Sequence, residues 1–185
     1  AQAGSYVDDE KMRFDFSHFA AMTAEELAEV ESTVNAMIFA DAKIDCAEMS
    51  LDDAKKLGAT ALFSEKYGNV VRVVKMGDFS LELCGGTHAA STGKLGLFKI
   101  TSESGVAAGV RRIEAVTGEG VIRLINEKQA LIDRTAAVMK IKSANEIDTR
   151  AEALVAENKE LERQREQLTD RLAAMRTKNM MAGVK

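Results

Sequence analysis

The sequence contains no proline, and only two cysteines and two histidines occur among its 185 residues. Cys46 and Cys84 are too few for the disulfide framework of a small secreted protein. No apolar run approaches the roughly 20 residues that a membrane-spanning helix needs. The start, AQAGSYVDDEK, has no initiator Met, no basic stretch and no apolar stretch, so we expect a cut end rather than a signal peptide. These absences favour a protein of the reducing cytoplasm.

The charges are unevenly distributed, although the net charge is only −4. Residues 1–60 carry 5 basic and 13 acidic side chains, whereas residues 61–140 carry 11 basic and 8 acidic ones. An autonomous nucleic-acid-binding protein has a far larger basic excess on its surface. We therefore expect any RNA contact to be local, or to be assisted by other domains.

Hydrophobic periodicity predicts an α+β fold in which helices pack on a mixed or antiparallel sheet. Thr23 and Glu26 form a capping box ahead of helically spaced apolar residues, which predicts a helix over about 24–39. The glycine-rich segment 102–109 predicts a turn between the last two strands. Alternating apolar residues and runs rich in β-forming residues predict a hairpin and five further strands, at 4–16, 43–49, 70–74, 79–84, 95–101 and 110–117.

The apolar period becomes helical from Val121 onward, and no proline is present to break it. Asn158 lies on the apolar seam of this tail and favours a defined parallel dimer. We predict a domain over residues 1–120 and a helical linker with a coiled-coil-like arm over 121–185. The arm is predicted from apolar residues that recur every seven positions, at Ile147, Leu154, Leu161, Leu168 and Met175.

Residues 84–88 read CGGTH, which places a cysteine and a histidine four positions apart. Thiolate and imidazole are favoured zinc ligands, and a glycine pair permits the bend that would let Cys84 and His88 converge. Two side chains are half of a tetrahedral site. Cys46 and His18 are candidate third ligands, but we expect Cys46 to be a small buried hydrophobe in its apolar strand. A nucleophile–base pair and a simple turn with Cys84 in the core are the alternatives.

Arg111 and Arg112 follow the glycine-rich segment in the basic middle of the chain. Adjacent side chains of a strand point to opposite faces. One arginine is therefore expected to meet an RNA phosphate, while the other covers the sheet or pairs with Glu114. The alternative is that both arginines are solvated.

Four motifs together resemble the editing domain of alanyl-tRNA synthetases, in the same order along the chain. They are RFDFSHF (13–19), ALFSEKYG (61–68), GDFSLELCGGTH (77–88) and TGKLGLFKITSESGVAAGVRRIEAVTGEG (92–120). The resemblance covers residues 1 to about 140, and the helical tail is similar to the stretch that follows the editing domain in that family. The related domain of threonyl-tRNA synthetases fits less well, since AAGVRRIEAVTG is closer to the alanine family.

The resemblance implies an enzyme that attaches alanine to tRNA(Ala) and hydrolyses the serine or glycine wrongly attached to it. In that family an HxxxH pair and a later CxxxH pair bind Zn²⁺, and Cys84 and His88 match the second pair. The resemblance assigns no catalytic side chain to this sequence. It does imply substrate-binding residues, namely Gln2, Gly85, Gly86 and Thr87.

The sequence departs from the family in having no HxxxH pair. The resemblance implies that this pair, and the aminoacylation domain that uses ATP and Mg²⁺, lie outside the residues given. We therefore expect an excised piece with two of four zinc ligands, which binds zinc and hydrolyses poorly alone. Its expected partners are tRNA(Ala), the remaining synthetase domains and a second copy through the C-terminal helix. A coiled-coil interaction module and a free-standing editing factor are the competing hypotheses.

Overall fold

A computed structural model describes residues 1–61 and 68–182, with side chains to residue 180. The ALFSEKYG motif therefore lies almost wholly outside the described residues. The chain divides into two compact units, Ala1–Ile125 and Asn126–Lys185. The helices and strands are β1 (Gln2–Val7), β2 (Met12–Ser17), α1 (Ala24–Phe39), β3 (Ile44–Ser50), α2 (Leu51–Lys56), β4 (Val70–Met76), β5 (Ser80–Leu83), β6 (Phe98–Ala107), β7 (Val110–Thr117), α3 (Glu119–Met139) and α4 (Ile147–Ala182).

Two antiparallel sheets form the framework of the first unit. One has the strand order β1-β2-β7-β6 and the other has the order β3-β4-β5. The core of the four-stranded sheet includes Ile38 of α1, and the core of the three-stranded sheet includes Ala54 of α2. The predicted α+β class, with antiparallel sheets, packed helices and a long C-terminal helix, is confirmed.

Helix α1 begins where its capping box predicts. The Glu26 backbone N–H donates to the Thr23 hydroxyl at 3.2 Å, and the Thr23 N–H donates to the Glu26 carboxylate at 2.8 Å. Both bonds satisfy donors that have no partner inside the helix. The predicted helix over 24–39 is therefore confirmed residue for residue.

Side chains of α1 cap the edge of the four-stranded sheet at β6, which among the described residues pairs with β7 alone. The Asn35 amide donates to the Phe98 carbonyl at 2.9 Å and its oxygen accepts from the Phe98 N–H at 2.9 Å. One turn earlier, the Glu31 carboxylate accepts from the Ile100 N–H at 2.8 Å and from the Lys99 ammonium at 2.7 Å. These bonds replace a neighbouring strand, so α1 closes the sheet edge and protects it from pairing with another chain.

The segment 102–109, predicted to be a turn, is mostly strand. Strand β6 continues through Ala107, and the chain reverses only at Ala108 and Gly109, whose φ is +69°. The physical reason is cross-strand pairing, because Glu103 on β6 forms an ion pair with Arg111 on β7. Two bulges in the β6–β7 ladder accommodate the glycine-rich stretch.

In the second unit, α4 is a helix of 36 residues, about 54 Å long. It follows a short 3-10 turn, Ala144–Glu146, in which the Ser143 hydroxyl accepts from the Asn145 N–H at 3.3 Å. The described helices include none that combines the length and the apolar character required to cross a membrane. The domain boundary at residue 120 stays a prediction.

The variant Asn35→Ala tests whether α1 caps the edge of the four-stranded sheet at β6. We expect the free energy of unfolding to fall by about 1–2 kcal/mol, because the Phe98 backbone loses both partners. We also expect the Phe98 amide to exchange its hydrogen about tenfold faster, while the Ile100 amide stays protected by Glu31. Urea unfolding and NMR hydrogen exchange measure the two effects. Ser32→Ala, an exposed change on the same helix, is the control; equal protection of Phe98 in both variants would contradict the cap.

Candidate functional site

The CGGTH segment starts where β5 ends, at the edge of the three-stranded sheet. Cys84 is held to β4 by its backbone N–H, which donates to the Arg72 carbonyl at 3.1 Å. The side chains of Cys84 and His88 are half-buried, whereas Gly85, Gly86 and Thr87 between them are exposed. The segment is therefore an open loop that presents a thiol and an imidazole at its two ends.

The guanidinium of Arg72 lies inside this loop. Its Nη1 donates to the Cys84 carbonyl at 3.0 Å and to the Gly86 carbonyl at 2.6 Å, and it contacts His88 Nδ1 at 3.2 Å. Its Nη2 donates to the Cys46 sulfur at 3.1 Å. Sequence reasoning missed Arg72, because its proximity to the loop follows from the pairing of β4 with β5 and not from any local motif.

Cys46 is not the buried hydrophobe that its apolar strand predicted. It is exposed on β3, and both cysteines are free thiols. Strand β3 is an edge strand of its sheet, and the face that carries Cys46 is the one on which Arg72 lies. The sulfur therefore meets a guanidinium instead of the core.

The glycines of the loop are not required by its geometry. Neither Gly85 nor Gly86 has a φ in the left-handed region. A Cβ added to Gly85 would have no neighbour within 4 Å, and one added to Gly86 would only touch the Cys84 sulfur at 3.7 Å. The structure therefore shows no steric need for glycine at either position, and both glycines leave the outer surface of the bend open.

The donor atoms of the loop fit zinc in type but not in number. Sulfur and imidazole nitrogen are the ligands that zinc prefers, and four of them close a structural site. In the described part of the chain, no group of three or more His, Cys, Asp or Glu side chains is arranged to hold a metal ion. Cys84 and His88 supply two donor atoms of the right type, and their role as metal ligands stays a prediction.

Gln2, the predicted pocket glutamine, lies on the other sheet. It is half-buried on β1, where it pairs with Phe16 of β2. A cavity of about 690 Å³ lies between the four-stranded sheet and α1, but its lining includes neither Gln2 nor any residue of the CGGTH segment. The predicted substrate residues are thus distributed over two sheets.

Arg111 and Arg112 are both half-buried and both engaged in ion pairs, and Glu114 is the ion-pair partner of neither. The Arg111 Nε and Nη2 donate to the two Glu103 oxygens at 2.5 and 2.7 Å. The Arg112 Nε and Nη2 donate to the two Asp15 oxygens at 2.7 and 2.8 Å. Glu114 instead accepts from the Lys11 ammonium at 2.9 Å. The adjacent arginines do point to opposite faces, as predicted, but each meets a carboxylate there.

These ion pairs shift the titration of their carboxyl groups. The bidentate hydrogen bonds from Arg111 hold the pKa of Glu103 below its ordinary 4.5, and those from Arg112 hold the pKa of Asp15 below its ordinary 3.8. Burial opposes both shifts, but the hydrogen bonds to the arginines are the larger cause. The four-stranded sheet is therefore fastened by charges that stay ionised at neutral pH.

The chain is similar in sequence to aminoacyl-tRNA synthetases. Residues 71–114 match the family described as "Threonyl and Alanyl tRNA synthetase second additional domain". Over all of this chain, the sequence is 50% identical to the alanine–tRNA ligases of Desulforamulus reducens and Geobacillus kaustophilus and 49% identical to that of Shewanella loihica. The chain covers 21%, 21% and 22% of those proteins, so it spans about a fifth of the length of the relatives it matches.

The ion pairs predict a loss of stability in acid. A carboxyl whose pKa is lowered by folding contributes stability that is complete above its ordinary pKa and is lost as the pH falls through the lower folded value. We therefore expect the free energy of unfolding, measured in urea from about pH 6 to pH 3, to fall less steeply in Asp15→Asn. Arg112→Gln should flatten the curve equally, and the double variant should add nothing. An unchanged slope in both single variants would refute the coupling.

Proposed function

Because the chain is homologous over its whole length to one region of the alanine–tRNA ligase family, we propose that it carries part of a site that clears mischarged tRNA(Ala). A pocket sized for the methyl group of alanine cannot strongly reject the smaller glycine, or serine, which adds only a hydroxyl. A second site must hydrolyse the ester of the wrong amino acid. Protein synthesis places such an activity in the cytoplasm.

The observation that carries the proposal is the open loop between Cys84 and His88. A thiol and an imidazole stand at its two ends, and three exposed residues with small or short side chains lie between them. When bound, zinc supplies a Lewis acid that polarises the scissile carbonyl or lowers the pKa of water. Cys84 and His88 would hold the ion. Gly85 and Gly86, which geometry does not require, leave room for the aminoacyl ester beside it.

The remaining substrate contacts are assigned to groups that lie exposed or half-exposed. Thr87 offers a hydroxyl on the outer side of the loop, and Gln2 offers an amide on β1. Both can donate to and accept from a polar amino-acid side chain such as the hydroxyl of serine. No side chain of this sequence is assigned as the catalytic base, since activation of water belongs to the metal in this proposal.

Two ligands make a poor metal site, so we propose that the chain alone binds zinc weakly and hydrolyses little. Zinc affinity depends on the number and geometry of the ligands. The resemblance to the family assigns the other two ligands to an HxxxH segment outside the given sequence. It likewise assigns ATP and Mg²⁺ to an aminoacylation domain elsewhere in the ligase.

For tRNA(Ala) we propose local contacts through Arg111 and Arg112. Each guanidinium uses Nε and Nη2 for its carboxylate, which leaves the Nη1 side of the fork for a phosphate. Nη1 of Arg111 lies over Gly105, where an added Cβ would come within 2.8 Å of it. Each neighbouring carboxylate lowers the attraction for RNA, so we expect these contacts to orient the tRNA more than to bind it.

The proposal is tested in an alanine–tRNA ligase that contains this segment. Cys84→Ala should slow the clearance of serine from tRNA(Ala) at least about a hundredfold and should lower the zinc content, because it removes a metal ligand. The rate of alanine attachment should stay close to normal. Cys46→Ala, which removes the other free thiol, is the matched control and should keep both zinc and clearance. Normal clearance by the Cys84 variant would refute the ligand role.

A second candidate function, self-association, is favoured by the surface of α4. Its apolar seam is exposed along the helix, with 62% exposure at Leu161 and 58% at Leu168. Apolar residues at a period of seven normally pack against a partner helix. We propose a parallel two-stranded coiled coil with a second copy, in which Asn158 pairs with its counterpart and sets the register.

Sedimentation equilibrium tests this second proposal. With rising concentration, the apparent mass of the chain should increase from 20.0 kDa toward twice that value. A chain that ends at Ser143 should stay at the mass of one copy, and Leu161→Lys should weaken association because it places a charge on the seam. A monomer at every concentration would contradict the pairing.

A further inference from the structure

Arg72 is the one described side chain that contacts both ends and the middle of the CGGTH segment. Its strand, β4, lies between β3 and β5, so its guanidinium reaches a thiol on one side and the loop on the other. A guanidinium can only donate hydrogen bonds. Every partner it has here must therefore be an acceptor.

The two carbonyl contacts show what fixes the bend. The carbonyls of Cys84 and Gly86 both point at Nη1, although they are two residues apart. The chain must curl around that nitrogen for this to occur. Since the conformations of Gly85 and Gly86 are open to other residues, the charge-assisted bonds from Arg72 are the constraint that selects this shape.

The contact with His88 has a further consequence. Nη1 of Arg72 has two hydrogens for three acceptors, so its contact with His88 shares a hydrogen with a carbonyl. Because Arg72 can only donate, Nδ1 of His88 is the acceptor in this contact, and a neutral imidazole then has its proton on Nε2. A metal ligated at Nδ1 would use the same lone pair. A metal ligated at Nε2 requires the proton on Nδ1, which then cannot accept from an arginine. The Arg72–His88 hydrogen bond and coordination of a metal by His88 therefore exclude each other.

We propose that Arg72 is a positioning residue, which shapes the CGGTH loop through two backbone carbonyls and holds His88 until metal coordination replaces that hydrogen bond. The inference rests on the proposed function in one respect only, that His88 ligates a metal. The loop-shaping role is independent of any reaction. In this proposal Arg72 has two states, one hydrogen-bonded to the imidazole of His88 and one not, and its contacts with the two carbonyls persist in both.

The first test is ¹⁵N NMR of the metal-free chain labelled at histidine, at a pH where the imidazoles are neutral. Only two histidines are present, and Nδ1 of His18 accepts from the Ala20 N–H, so His18 is an internal reference. We expect His88 to carry its proton on Nε2 in the unchanged chain. Arg72→Met should shift the His88 Nδ1 signal and leave His18 unmoved. A proton found on His88 Nδ1 in the unchanged chain would overturn the proposal.

The second test measures loop shape through the reactivity of the Cys84 thiol. Alkylation by iodoacetamide, resolved by mass spectrometry, should be at least about fivefold faster at Cys84 in Arg72→Met, because the half-buried sulfur is released. Lys75→Met, which removes a charge from the same strand without contact to the loop, is the matched control and should leave the rate unchanged. Arg72→Lys keeps the charge but loses the fork, so it should restore protection only in part.

Hydrogen exchange in the β4–β5 ladder, where Val73 pairs with Leu83, distinguishes a role of Arg72 in shaping the loop from a general role in stabilising the sheet. If these amides stay protected while Cys84 becomes reactive, Arg72 acts on the loop. If the ladder opens in Arg72→Met, the comparison is made with Arg72→Lys instead. An intact ladder with unchanged Cys84 reactivity would refute the proposal. None of these readouts uses hydrolysis or added metal, so they can succeed even if the editing proposal fails.

Discussion

The candidate site depends on the register of β4 against β5. Val73 pairs with Leu83, so the next position along, Cys84, emerges opposite Arg72 on the same face of the sheet. A slip of one residue would move Cys84 to the other face, because side chains alternate along a strand. Buried Val71, Val73 and Leu83 on the opposite face prevent this slip by packing against α2. The hydrophobic core below the sheet thus determines which polar groups meet above it.

In the four-stranded sheet, too, polar contacts between side chains add to the packing of the apolar core. Its strands are joined by two bidentate ion pairs, Asp15–Arg112 between residues 97 positions apart and Glu103–Arg111 across the β6–β7 hairpin. Its open edge is closed by Asn35 and Glu31 of α1. Hydrogen-bonded carboxylate–guanidinium pairs add geometric specificity as well as free energy. Polar side chains therefore add to the apolar core in defining how the strands and α1 fit together.

Local signals in the sequence predicted the helices and strands well. The side-chain contacts that the sequence did not predict depend on pairing between strands that are distant along the chain. The capping box at Thr23 predicted the start of α1, and short runs of alternating or β-branched residues predicted β3, β4 and β5, because these signals act over a few neighbouring residues. Glu114 was the expected partner of an arginine only because it was near in sequence. The actual partner of Arg112 is 97 positions away, and β-pairing alone brings it close. The contacts of Arg72 were not predicted for the same reason, since its partners are 12 to 26 positions away.

The hydrogen-bond acceptors of the CGGTH loop explain why a guanidinium lies inside it. Without an ion, a bent loop that gathers carbonyl oxygens and an imidazole lone pair concentrates acceptors with no donor between them, which is costly in a half-buried place. Arg72 supplies that donor and a positive charge, so the bent shape of the loop does not depend on a bound ion. If Cys84 and His88 bind a metal ion, as we propose, the charge of Arg72 opposes its entry. In that proposal His88 would leave Arg72 only for an ion with enough further ligands to outweigh this opposition.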